Sequence, residues 1–111
     1  MRDLFRVCAY DAHGRWRWLD VGPACFVHDG FIEDGDVAVL AALEARGEYC
    51  RVMVIDSDDE IAVELRDGIC TWPLELAAIG RETGLEGVAL LLRRRIAVKG
   101  AQHAESARGR P

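Results

Sequence analysis

The sequence predicts an α+β domain in which helices pack on one face of an antiparallel sheet. Three observations predict it. Apolar and polar residues alternate with period two in several short segments. Two longer segments carry helix start and stop signals. The 111 residues, 50% apolar and 30% charged, have the size and balance of one globular domain.

Residues 4–10 and 15–21 read as two strands joined by the turn-rich Asp11-Ala12-His13-Gly14. A four-residue loop sets Ala9 opposite Trp16 and Val7 opposite Trp18. That register gathers Phe5, Val7, Ala9, Trp16 and Trp18 on one face, expected to be the face covered by helices. It leaves Arg6, Cys8, Tyr10, Arg15, Arg17, Leu19 and Val21 on the other. Residues 24–28 and 31–33 flank Asp29-Gly30, a dipeptide suited to a tight hairpin turn.

A helix is expected from an Asp36 cap to about Arg46, with Gly47 as its stop and Val37, Leu40, Ala41 and Leu43 on its apolar side. Residues 49–56 and 60–66 form the next two strands around an acidic tip. The first is apolar on both faces, and the second alternates Ile61, Val63 and Leu65 with Glu60, Glu64 and Arg66. The tip's length decides whether Cys50, Val52 and Val54 or Met53 and Ile55 join the helical face. A second helix starts at Thr71 or Trp72, carries Pro73 in its first turn and ends near Thr83-Gly84. Gly80 in its middle is expected to allow close packing against the sheet.

Residues 85–96 fit both a helical stripe and a buried strand. Gly87 and the off-stripe Leu90 and Leu91 favour the strand. From Arg15 onward the order is then β-α-β-β-α-β, a ferredoxin-like sandwich preceded by an extra N-terminal strand, with two helices on one face. Residues 1–98 form the single domain. Residues 99–111, rich in Ala, Gly, Ser and Arg, read as a disordered basic tail.

Charge divides the chain. Residues 1–92 hold eight arginines and eighteen acidic residues, a net of −10; residues 93–111 hold five arginines and Lys99 against Glu105, a net of +5. Thirteen arginines against one lysine, with no asparagine, point to GC-rich, bacterial coding rather than to nucleic-acid binding. Cys8, Cys25, Cys50 and Cys70 form no C-x-x-C pair. With no signal peptide or apolar span in the sequence, buried free thiols in a reducing cytoplasm are expected.

Candidate chemistry is sparse. Asp56, Asp58, Asp59 and Glu60 cluster at a hairpin tip, but a Ca²⁺ loop needs glycine where Ile61 stands and glutamate where Asp67 stands. A metal-dependent nuclease reading through Asp56 or Asp58 and Glu64-Leu65-Arg66 lacks its lysine. Cys25, His28 and Asp29 suggest a thiol–imidazole pair, although residues three apart on a strand face opposite ways. No histidines share zinc-ligand spacing, and no cofactor or metal is expected.

The acidic body therefore leads to a non-enzymatic interaction module of the inhibitor, immunity or regulatory type. It would bind a basic protein partner through Asp56, Asp58, Asp59 and Glu60, supported by Glu64. The alternatives are RNA or DNA binding by an open sheet face carrying Arg6, Tyr10, Arg15 and Arg17 with the basic tail, and a small enzyme with a pocket between sheet and helices. A homodimer through the open face is a further expectation.

Overall fold

The alternation Phe5-Arg6-Val7-Cys8-Ala9-Tyr10 makes the first strand two-faced, and the rest of the sheet is assembled on it. In a computed structural model, residues 4–19, 27–28 and 31–108 are described. Among them run β1 (Phe5–Tyr10), β2 (Trp16–Trp18), β3 (Val27–His28), β4 (Phe31–Ile32), α1 (Gly35–Ala45), β5 (Arg51–Asp56), β6 (Ile61–Arg66), β7 (Ile69–Trp72), α2 (Leu74–Thr83) and α3 (Leu85–Arg108). The sheet is wholly antiparallel, in the order β3-β4-β1-β5-β6-β7, with β2 paired to β1. One edge of β1 is shared end to end, Phe5 meeting Ile32 of β4 and Cys8–Tyr10 meeting β2. Its other edge pairs with β5 along the strand's full length.

Side chains at alternate positions go to opposite faces. Val7 and Ala9 of β1 therefore join Val52 and Val54 of β5, Val63 and Leu65 of β6 and Cys70 of β7 in the core. The question of which β5 residues turn inward resolves to Val52 and Val54, with Met53 and Ile55 on the opposite face. Helix α1 lies directly on this inner face. Its fully buried Ala38 and Ala42, one turn apart, let its backbone approach the strands closely, while Leu43 fills the space beside them. Helix α3 packs across α1 and α2 and adds Ala89 and Leu92 to the same core. Being covered on two sides, α1 has apolar residues around most of its circumference.

Several elements differ from the sequence reading. Asp34, two residues before the expected Asp36, caps α1, its side chain accepting from the Asp36 N–H at 2.9 Å. The β1–β2 loop is five residues long, so Cys8 stands opposite Trp18 and Tyr10 opposite Trp16. Both tryptophans consequently leave the helical face on which the four-residue loop would have placed them. Asp11 favours the longer loop, since its carboxylate accepts from the N–H groups of His13 (2.8 Å) and Arg15 (3.1 Å).

Strand β7 was not expected. The two-residue turn Asp67-Gly68, with φ of 50° and 81°, carries the chain back antiparallel to β6 and delays α2 to Leu74. Residues 85–96 are helical rather than a strand, so the β-α-β-β-α-β order and its ferredoxin-like sandwich give way to an antiparallel meander covered by three helices. Leu90 and Leu91, the residues that favoured a strand, are exposed on α3. Helix α3 also passes through residues 99–108, for which composition alone predicts no regular structure. Gly80 accommodates Leu85 rather than the sheet: a Cβ there would stand 3.0 Å from the Leu85 Cδ2.

Ion pairs hold α3 to α1. Lys99 Nζ reaches Asp36 at 2.6 Å and Asp34 at 3.1 Å, Arg95 reaches Asp36 at 3.2 Å, and Arg46 pairs with Glu86. The basic start of the C-terminal segment therefore folds back on acidic residues of the body. No helix among the described residues is long and apolar enough to cross a membrane.

Leu43 and Leu91 separate core from surface. Leu43→Ala should cost about 2–5 kcal/mol in urea denaturation, and Leu91→Ala within about 0.5 kcal/mol. Equal costs for the two would contradict the placement of α3.

Candidate interaction surface on the open sheet face

The described helices pack on the Val7/Ala9 side; the opposite face of the sheet buries Cys8 and Met53, and among the described residues no helix covers it. Strand β1 supplies Arg6, Cys8 and Tyr10 to this open face, and β2 supplies Trp16 and Trp18. The Arg6 guanidinium lies 3.9 Å from the Trp18 ring centroid and 5.1 Å from that of Phe31. Such contacts contribute about 0.5–2 kcal/mol each. Arg6 Nε is buried without a hydrogen-bond partner among the described residues, so aromatic rings are its main company. Trp16 meets Trp18 edge to face, with centroids 5.5 Å apart and an interplanar angle of 82°. Trp16 is 55% exposed, Trp18 38% and, at the far side of the face, Trp72 48%.

At the centre of the face lies an ion cluster. Glu64 Oε2 accepts from Arg51 Nε at 2.9 Å and Nη2 at 2.5 Å. Its Oε1 accepts from Arg66 Nε at 3.0 Å and the Thr71 hydroxyl at 2.8 Å. Thr71 reaches the carboxylate because the β6–β7 register shifts beside Glu64. Burial alone would raise the Glu64 pKa. The donors from Arg51, Thr71 and Arg66 outweigh it and bring it from 4.5 to about 2. Arg51 also lies 5.7 Å from the Tyr10 ring centroid. Arg51 and Arg66 thus share the single carboxylate of Glu64, leaving this end of the hairpin positive, with Arg6 on the same face.

The acidic tip stands at one end of the same hairpin. Asp56 Oδ1 accepts from the N–H groups of Asp58 (2.9 Å) and Glu60 (3.0 Å), which shapes the turn and leaves Asp58, Asp59 and Glu60 exposed. Glu64 is not part of this group; its carboxylate is held by the arginines. Of the four residues considered for nucleic acid, Arg6 and Tyr10 lie on the open face. Arg17 stands opposite Ala9 and therefore points to the other side, and Arg15 precedes the strand. Leu19 packs against the core rather than lining the open face.

Cys25 and Asp29 lie outside the described residues, as does the His28 side chain. Among the described thiols, Cys8 and Cys70 are buried while Cys50, expected inside, is exposed. Burial raises the pKa of both buried thiols, against the lowering influence of Arg51 and Arg6 at Cys8 and of a Trp72 hydrogen bond at Cys70. Both stay protonated at neutral pH. Among the described residues no three His, Cys, Asp or Glu are arranged to hold a metal ion. A cleft of about 600 Å³ opens between sheet and helices beside Phe5, Asp36 and Val39, and its Asp34, Asp36, Arg95 and Lys99 neutralise one another.

No family model matches the chain, and no characterised protein or solved structure shows detectable similarity to it. The residues that sequence reasoning missed on the open face are Trp16, Trp18, Phe31, Arg51 and Trp72. The signal for Trp72 was present in Asp67-Gly68, a dipeptide as suited to a hairpin as Asp29-Gly30.

Glu64 has a folded-state pKa below its unfolded one, so its ionised form stabilises the fold above pH 4.5, and that stability is lost as pH falls toward about 2. With its side chain 12% exposed, the contribution is about 1–3 kcal/mol at pH 7 after allowance for solvent screening. Glu64→Gln should lower stability by that amount at pH 7 and flatten its decline between pH 4.5 and about 2 in acid titrations followed by circular dichroism. An unchanged acid limb would contradict the cluster.

Proposed function

We propose that the chain is a non-enzymatic protein-interaction module that recognises its partner with the open face of the sheet. The observation that carries this reading is the three exposed tryptophans of one face, Trp16 and Trp18 on the side of Arg6 and Trp72 at the far side. Tryptophan, tyrosine and arginine supply most of the binding energy in protein interfaces because they bury large areas at low entropic cost. The rings here are held in advance, Trp18 by Arg6 and by the edge of Trp16, so little ordering remains to be done on binding.

The exposed Asp58, Asp59 and Glu60 act as the charged end of that surface and attract a basic partner, in the manner of small acidic inhibitors and immunity-type regulators. Long-range attraction of this kind raises the association rate more than it changes dissociation. An acidic body whose binding face is positive at the Arg51–Arg66 end selects a partner of mixed charge. A uniformly anionic one would be repelled at the rim.

A second reading, single-stranded RNA or DNA on the same face, is favoured by one observation. Trp16, Trp18 and Tyr10 lie beside Arg6 and Arg51, where bases could stack and phosphates pair. The net −10 of residues 1–92 opposes it.

A basic protein captured from extracts of the source cells and then purified should bind Trp16→Ala/Trp18→Ala at least tenfold more weakly. It should associate several-fold more slowly with Asp58→Lys/Glu60→Lys at a little-changed dissociation rate. A partner that binds both variants as tightly and as fast as the unaltered chain contradicts the proposal. Retention of a labelled single-stranded oligonucleotide, lost steeply between about 50 and about 200 mM salt, also overturns it in favour of the second reading.

A further inference from the structure

Charge is arranged along the open face as well as across it. The β5–β6 hairpin has Asp58, Asp59 and Glu60 at its tip, and Arg51 and Arg66, opposite one another, at its other end. Both groups belong to the same pair of strands and so lie in one column of the sheet. Glu64 offsets one of the two guanidinium charges and leaves the other unbalanced. On either side of the column stand exposed apolar groups: Trp16 and Trp18 towards β2, and Ile61, Ile69 and Trp72 towards the β7 edge.

We propose that the occupant of this face is a second copy of the chain, packed sheet on sheet about a two-fold axis that runs across the strands. The inference rests on reading the open face as the recognition surface; although the second copy is acidic as a whole, the patch it offers the acidic tip, Arg51 and Arg66, is locally basic. A two-fold axis lying between two sheets and crossing their strands reverses strand direction while keeping each strand above its own counterpart. The acidic tip of each copy then lies over Arg51 and Arg66 of the other. An axis parallel to the strands would place both acidic tips at the same end, where like charges oppose it. The first arrangement is self-complementary in sign, and an isologous interface requires that of its surface. It also sets Trp16 of one copy over the end of the sheet where Arg6 and Phe31 of the other lie, so rings cover rings.

Sheets packed in this way lie about 10 Å apart with strands within about 30° of alignment. Five strands at about 4.8 Å and six residues at about 3.3 Å make a face about 24 Å by 20 Å, at the small end of stable interfaces. The dimer is therefore expected to dissociate in the micromolar range and to loosen with salt.

Sedimentation velocity on the full chain from about 5 to about 500 µM tests this. The expected result is a monomer–dimer equilibrium weakened several-fold by salt and at least tenfold by Asp58→Arg/Glu60→Arg, by Arg66→Glu or by Trp16→Ala, all at exposed positions. The decisive arm mixes the Asp58→Arg/Glu60→Arg chain with the Arg66→Glu chain. Across the proposed axis both tip-to-arginine contacts are again between opposite charges, so a heterodimer should form where neither chain dimerises alone. A chain that stays monomeric throughout, or a dimer indifferent to these variants, overturns the inference. If the chain is monomeric and Trp16→Ala still weakens binding of a different purified protein, the open-face reading survives and only the second copy is excluded. If Trp16→Ala alters neither self-association nor any binding, both fall.

Discussion

The constraint on which the rest of the structure depends is the two-faced pattern of β1. Val7 and Ala9 can be buried only if a helical layer covers their side, and Arg6 and Tyr10 are tolerated only if the other side stays accessible. β1 pairs along its length with β5 and on its other edge with β2 and β4, so it transmits this choice to its neighbours by register. A slip of one residue in any of these pairings would exchange faces for a whole strand. The Asp11 carboxylate, bonded to the N–H groups of His13 and Arg15, shapes the loop that prevents the slip at β2.

The character of the open face follows from that register. Arginines there have few carboxylates to pair with, so they find aromatic rings: Arg6 on Trp18 and Phe31, Arg51 on Tyr10. Where a carboxylate is present, Glu64, it is shared by two guanidiniums and a hydroxyl. At the tip of the same hairpin the Asp56 carboxylate folds the turn by accepting from backbone N–H groups, and Asp58, Asp59 and Glu60 remain in solvent. A surface flanked by aromatic rings, positive at the Arg51–Arg66 end and acidic at the hairpin tip is the consequence. It is the reason for assigning recognition to this side and not to the cleft beside α1, whose charges are already paired.

Much of this was legible in the sequence, and the failures have physical causes. Period-two alternation locates β1 and β6, a run apolar on both faces locates β5, and the acidic tip reads as a hairpin end. The α1 boundaries were misplaced by a residue or two because Asp34 and Asp36 are equally good caps and only geometry chooses. The β1–β2 register was missed because Trp is apolar enough to suggest burial, whereas a strand edge beside Arg6 accommodates it half exposed. Residues 85–96 read as a strand because Gly87 weakens a helix and Leu90 and Leu91 break a helical stripe. In the fold both leucines are exposed, on a helix that buries Ala89 and Leu92 in the core and packs Leu85 and Val88 against it. The candidate surface is half visible: alternation puts Arg6 and Tyr10 on the open face, but the tryptophans beside them depend on a loop one residue longer than expected.

The register of β1 against β2 is the claim that carries the rest, and cross-strand nuclear Overhauser effects measure it most directly. The account predicts contacts between backbone protons of Cys8 and Trp18, and between the Trp18 indole and the Arg6 side chain. Contacts from Trp18 to the backbone of Val7, with its indole protons near Ala42 or Leu43, would place the tryptophans beneath the helices and contradict the open-face surface altogether.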